Sequence, residues 1–202
     1  MKRKFLDFAL IKIKKKYPEY DEIKLEELEY GLEGFYLTFT KLLVIIPLSI
    51  ILGLFKEMML VMIFFNIIRI SAFGLHATKS WICLISSTIV FIGVPLIAKI
   101  IIIPFIIKII LGIISIILVY LYAPADTIKA PIIRKRRRDK LKFISTISCI
   151  LLTFLYLIIS NELLSNLIIL SIWIEVTLIS PFTYKLFKLS YNNYKTYPLK
   201  MD

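Results

Sequence analysis

The chain has 202 residues, 59% of them hydrophobic, and a formal net charge of +12. A soluble domain of this length could not cover so many long apolar runs with polar surface, so the composition excludes a water-soluble globular protein. It points to an all-α, polytopic integral membrane protein organised as a single membrane-embedded domain, 1–202. The positive charge is no argument for nucleic acid as a partner, because the basic residues cluster at the ends of apolar segments, where they face an anionic leaflet of the lipid bilayer.

Residues 1–18 carry Phe5, Leu6, Ala9, Leu10, Ile13 and Tyr17 at helical spacing, with lysines between them. This predicts an amphipathic helix lying on the membrane surface, ended or kinked by Pro18. Asp21 is placed to cap a second short helix with Ile23, Leu25, Leu28 and Leu32 as its apolar positions and glutamates around them. The first 34 residues hold eight basic and eight acidic side chains, neutral in sum but segregated. The region 1–34 reads as a cytoplasmic interfacial anchor or, alternatively, as a docking surface for a partner peptide. It lacks the apolar core and small-residue cleavage site of a removable signal.

Six apolar stretches follow, at 35–55, 57–73, 81–98, 103–123, 143–160 and 164–184. At about 1.5 Å per residue they predict about six transmembrane helices, with the second, the least secure, open to a re-entrant reading. The stretch 124–142 is read as a basic cytoplasmic loop, because it holds Lys129, Arg134, Lys135, Arg136, Arg137, Arg138, Lys140 and Lys142. Six crossings then put both termini, and the segment between the second and third spans, on the cytoplasmic side of the cell membrane. Lys108 and Glu175 fall inside spans, where ionised groups are costly. They either meet each other, or snorkel independently, or Glu175 stays neutral.

The segment 69–83 holds His76, the only histidine, and Cys83, one of two cysteines, seven residues apart. Cys149 lies within an apolar run and reads as a packed, inert thiol. A free thiol is only a few per cent thiolate at neutral pH, and a nearby imidazole or helix N-terminus makes it a better nucleophile. One histidine and one cysteine are too few ligands for a closed zinc site, so no metal or cofactor is expected. In one unbroken helix, positions 76 and 83 would share a face but stand about 10.5 Å apart along the axis. A working dyad therefore requires a break between them. Gly74 permits a turn just before His76, and Ser80 is a plausible N-cap for a helix that places Cys83 in its first turn. The bland alternative is a pair of bystanders.

The pattern Arg69, Gly74, His76, Ala77 and Cys83 resembles the accessory gene regulator B family of membrane cysteine endopeptidases from Gram-positive quorum sensing. So does the run Ala123-Pro-Ala-Asp-Thr followed by Pro131 and the basic cluster Arg134 to Arg138, and so does Glu29 to Glu33 ahead of the first span. One departure is Phe73, where many members carry a second glycine. The resemblance implies catalysis by His76 and Cys83 on a short, AgrD-like precursor peptide with an amphipathic leader and an acidic C-terminal tail. It implies cleavage ahead of the tail through an acyl-enzyme, and closure of a thiolactone or lactone ring to give the autoinducing peptide. The basic residues Lys129, Arg134, Lys135 and Arg136 either receive the acidic tail or only set topology. Arg69 either binds substrate carboxylates or stabilises the local turn. Asp126 either orients His76 or caps a helix. Ser80 and Lys79 are candidate neighbours of the oxyanion, with backbone amides near Cys83 as the donors. A homodimer is compatible with so small an enzyme.

Two other functions compete. A non-enzymatic export partner for a signal peptide would draw on Lys108, Glu175 and Asn66 within the spans. A lipid head-group enzyme has little support, since Asp126 and Asp139 are the only aspartates between residues 22 and 201 and do not form a paired metal motif.

Overall fold

The computed structural model describes residues 2–75, 80–127 and 131–197. Helix α1 is Lys2–Lys16, ending just before Tyr17 and Pro18. It lies against α2, held by an ion pair of 2.7 Å between Lys2 and Glu33 and by the rings of Phe5 and Tyr36. Phe8 and Ile11 stay exposed on its surface, the arrangement of a helix that rests in a membrane interface.

Helix α2, Glu22–Ile51, starts where Asp21 accepts a hydrogen bond from the Lys24 amide at 2.8 Å. It does not stop after the acidic stretch. The short helix and the first span expected from the sequence are one 30-residue helix that runs through Gly31, Gly34 and Pro47. Each of those glycines costs about 1 kcal/mol relative to alanine, too little to break a helix flanked by strong helix formers. Gly53, at φ 65°, turns the chain into α3, Phe55–Ala72.

Helices α4 (Ser80–Ile100), α5 (Phe105–Tyr122), α6 (Lys135–Ile158) and α7 (Glu162–Ile179) follow. The chain closes with α8 (Pro181–Leu186) and a 3-10 turn, Asn193–Thr196. The stretch 124–142, expected as a loop, is helical from Lys135 onward. Lysine and arginine are good helix formers, and no glycine or proline interrupts the run, so the charged segment extends the span that follows. The last expected span ends early, because Pro181 starts a new short helix.

The fold is all-α, with an isolated parallel bridge between Phe73 and Ala125 among the described residues. Among those residues, five helices are long and apolar enough to cross a membrane: α2 from Lys24, α4, α5, α6 and α7. Helix α3 is also 18 residues long but carries Lys56, Glu57 and Arg69. Helix α7 is the hub, with 56% of its apolar window buried against 28% or less in the other four, and it packs against α3, α4, α5 and α6. Isoleucines on the outer faces of α5 and α6 remain exposed, as lipid-facing side chains should be.

Two ends of this bundle can be told apart by their polar contacts. At one end Glu57 pairs with Lys99 at 2.9 Å, and Lys108 bonds to Glu162 and Ser165, each at 2.9 Å. There Asn166 also donates to the carbonyls of Ala98 and Ile101, which close the C-terminus of α4. At the other end Arg69 meets Glu175. Lys108 and Glu175 therefore do not meet: they belong to separate pairs, Lys108 near the start of α7 and Glu175 near its finish. Helix α3 runs from the Glu57 end to the Arg69 end, alongside the five apolar helices.

Candidate functional site

The chain breaks helix at Ala72. Phe73 takes φ 60° and ψ −123°, and Gly74 takes φ 105°, so two successive residues turn in a region that L side chains rarely adopt. Phe73, the position at which the resemblance implied a glycine, occupies a conformation suited to glycine. Hydrogen bonds from two other elements hold the turn. The Gly74 amide donates to the Ala125 carbonyl at 2.8 Å, the Ala125 amide to the Ala72 carbonyl at 2.9 Å, and the Leu75 amide to the Leu178 carbonyl at 3.0 Å.

The carbonyls of the same turn are held by Arg69. Its Nη2 donates to the Leu75 oxygen at 2.8 Å and to the Gly74 oxygen at 3.3 Å, while Nη1 reaches Glu175 Oε1 at 3.5 Å. The guanidinium passes close over Gly74: a Cβ on that residue would lie 2.5 Å from Nη1 and 3.0 Å from the Leu178 oxygen. Of the two roles expected for Arg69, the side chain is engaged with the turn and with Glu175 rather than held out toward solvent.

Helix α4 restarts at Ser80, so Arg69 and Cys83 do not share a continuous helix. Cys83 is a half-buried free thiol in the first turn of α4, and the exposed Ser80 opens that helix. The positive end of the helix dipole lies there, which suits an anionic sulfur or oxygen. Cys149, by contrast, is fully buried within α6. His76 and Lys129 lie outside the described residues.

The segment after α5 supplies the second wall. Ala123 and Pro124 are joined by a cis peptide bond, and residues 123–126 are buried. The Asp126 carboxylate caps the C-terminal 3-10 turn. It accepts from the amides of Asn193 and Tyr194, each at 2.8 Å, and from Asn193 Nδ2 at 3.4 Å. The Tyr184 hydroxyl donates to the Asp126 carbonyl at 3.1 Å, and the Tyr191 hydroxyl to the Tyr122 carbonyl at 3.3 Å. Burial pushes both phenols above their ordinary value, Tyr191 to about 12. Arg138 lies over the Tyr194 ring, 3.1 Å from its centroid. The exposed Arg134, Lys135 and Arg136 form the start of α6 at this same end.

The structure thus brings Arg69, Gly74 and the 123–126 segment together. Sequence reasoning missed the partners that lock them: Leu178, Asn193, Tyr194 and the Tyr184 hydroxyl. Glu175 was visible as a charge inside a span, but its partner was not.

A sequence profile described as accessory gene regulator B matches residues 9–179. The chain belongs to the accessory gene regulator B family. A putative AgrB-like protein of Clostridium acetobutylicum is 33% identical over 179 residues, covering 89% of this chain and 86% of that one. A putative AgrB-like protein of Listeria innocua is 34% identical over 179 residues, covering 88% and 87%. The accessory gene regulator protein B of Staphylococcus aureus is 34% identical over 161 residues, covering 80% and 85%. No solved structure matches. Family membership makes this a membrane protein of accessory gene regulation, the quorum-sensing kind.

Proposed function

We propose that the chain is a membrane cysteine endopeptidase with its dyad on the cytoplasmic side. It removes the acidic C-terminal tail of a short AgrD-like precursor peptide and promotes closure of a thiolactone or lactone ring. The observation that carries this reading is the interruption between Ala72 and Ser80, with Cys83 in the first turn of the restarted helix. A dyad spaced at 76 and 83 requires such a break. The rigid turn at 73–75 gives the segment bearing His76 a fixed point of departure.

His76 is the base. It takes the proton from the Cys83 thiol as Sγ attacks the carbonyl ahead of the tail. The carbon–nitrogen bond then breaks, and the same proton goes to the departing amine. The peptide is left on Cys83 as a thioester. An internal thiol or hydroxyl of the peptide attacks that thioester and closes the ring, and its proton returns the Cys83 thiol. Arg134, Lys135, Arg136 and Lys129 receive the acidic tail by charge complementarity, an effect that weakens as salt rises. The positive bias of this end of the bundle supports a cytoplasmic orientation.

The export-partner reading drew on Lys108, Glu175 and Asn66. Lys108 and Glu175 are tied into separate ion pairs, and Asn66 bonds to the Met62 carbonyl of its own helix on an exposed face. These three side chains mark no common path. Co-expression with an AgrD-like precursor peptide, scored by mass, separates the two functions. Wild type yields the precursor without its tail, and Cys83→Ala leaves it intact. Tail loss that persists in Cys83→Ala contradicts the protease.

A further inference from the structure

Glu175 takes no part in the chemistry proposed above, yet it is a carboxylate with no solvent exposure, set in the central helix of the bundle. Its Oε1 faces Arg69 Nη1 at 3.5 Å, and its Oε2 is buried without a hydrogen-bond partner among the described residues. A buried charge served by so few partners is a poor source of stability, and a well-packed apolar side chain would serve the core at least as well. Its presence is better explained by what it does to Arg69.

A guanidinium is a planar fork, so fixing one of its terminal nitrogens fixes the direction of the other. Nη1 is drawn to Glu175, and Nη2 is thereby aimed at the carbonyls of Leu75 and Gly74. Gly74 leaves the space through which the fork passes. Helix α7 therefore controls the turn twice. The Leu178 carbonyl takes the Leu75 amide directly, and Glu175, one turn earlier, sets the Leu75 carbonyl through Arg69. That carbonyl belongs to the peptide bond that joins Leu75 to His76.

We propose that Glu175 is a positioning residue for the dyad: it locks the Arg69 fork on the Gly74 and Leu75 carbonyls, so the chain enters the segment carrying His76 in one fixed orientation. The inference rests on the cysteine-protease reading, with Glu175 acting through Arg69 and touching no reacting atom. A misplaced base costs turnover far more than it costs substrate affinity, because reacting groups must be held in near-attack geometry.

The test uses the full chain in membrane vesicles, with the precursor peptide titrated against wild type, Glu175→Gln, Glu175→Asp, Arg69→Gln and the Arg69→Gln/Glu175→Gln double variant, normalised to protein in the membrane. Glu175→Gln, nearly isosteric, is expected to lower kcat by about 10- to 100-fold while KM stays within about twofold. Glu175→Asp should recover part of that loss, and the double variant should turn over no more slowly than Arg69→Gln alone, as expected of two residues acting as a unit. Wild-type kcat per molecule in Glu175→Gln, a change confined to KM or to abundance, or losses that multiply in the double variant would each overturn the proposal. If Glu175→Gln fails to accumulate, the same per-molecule comparison on Glu175→Asp decides, and undiminished kcat there overturns it. Cys83→Ala runs alongside: cleavage that survives in it sinks the protease reading itself and is distinguishable from a failure at Glu175 alone.

Discussion

At Gly74 the backbone runs so close to the Arg69 guanidinium that a methyl group has no free place, and φ of 105° would strain any L side chain as well. Gly74→Ala is therefore expected to displace Arg69 from the Leu75 carbonyl and to lower precursor cleavage by about 100-fold, with the chain still found in the membrane. Cleavage within about threefold of wild type, measured on membranes matched for protein, would show that the turn tolerates a shifted fork. The need for glycine here was legible from the sequence, since only a residue without Cβ enters such a turn freely. The share of the turn taken by Phe73 was not, because a bulky residue at positive φ is disfavoured locally and is held only by the surrounding hydrogen bonds. Glu175 illustrates a different limit. Helical periodicity shows which face a charge lies on but not what stands opposite it, so the sequence offered only Lys108 as a partner for Glu175, whereas Arg69 is the cation beside it.

Among the elements, the C-terminal segment depends on one carboxylate. Asp126 satisfies the amides of Asn193 and Tyr194 at the start of the last 3-10 turn, and two aromatic contacts, Tyr184 with Tyr191 and Arg138 with Tyr194, hold the segment over residues 122–126. Asp126→Ala leaves both amides without their acceptor, at a cost of roughly 1–3 kcal/mol each while they remain buried. Amide hydrogen exchange across 189–197 should then rise by about tenfold or more, while exchange in α5 and α7 keeps its wild-type rate. Unchanged exchange in 189–197 would mean that the aromatic contacts suffice without the cap. The sequence offered capping as one of two roles for Asp126 but pointed to no partner, because the capped turn lies 67 residues away. The merged helix α2 and the helical basic run at the start of α6 were misjudged for a simpler reason. Charge and hydropathy mark where a membrane boundary falls, and a helix has no need to end there.

Across the whole molecule, the apolar segments were legible because lipid exposure demands long uninterrupted hydrophobic runs, and the all-α architecture follows from that demand. Helix α3 was the uncertain member. It carries three charged residues, yet it reaches from the Glu57–Lys99 pair to the Arg69–Glu175 pair and so connects the two ends of the bundle. With α3 running this way, the break at Ala72, the start of α4, the 123–126 segment, the head of α6 and the C-terminal turn all gather at one end. A peptide substrate would meet there a thiol at a helix N-terminus, a braced turn leading to the histidine, and three exposed cations at Arg134, Lys135 and Arg136. The most direct measurement is of the acyl-enzyme. Vesicles holding the wild-type chain are mixed with a precursor whose ring-forming residue is replaced by alanine, and the chain is digested and weighed. The expected result is a hydroxylamine-labile adduct, equal in mass to the precursor without its tail, on the peptide containing Cys83 and absent from His76→Ala and Cys83→Ala. Tail loss with no adduct on Cys83, or an adduct carried by Cys149 instead, would contradict the dyad.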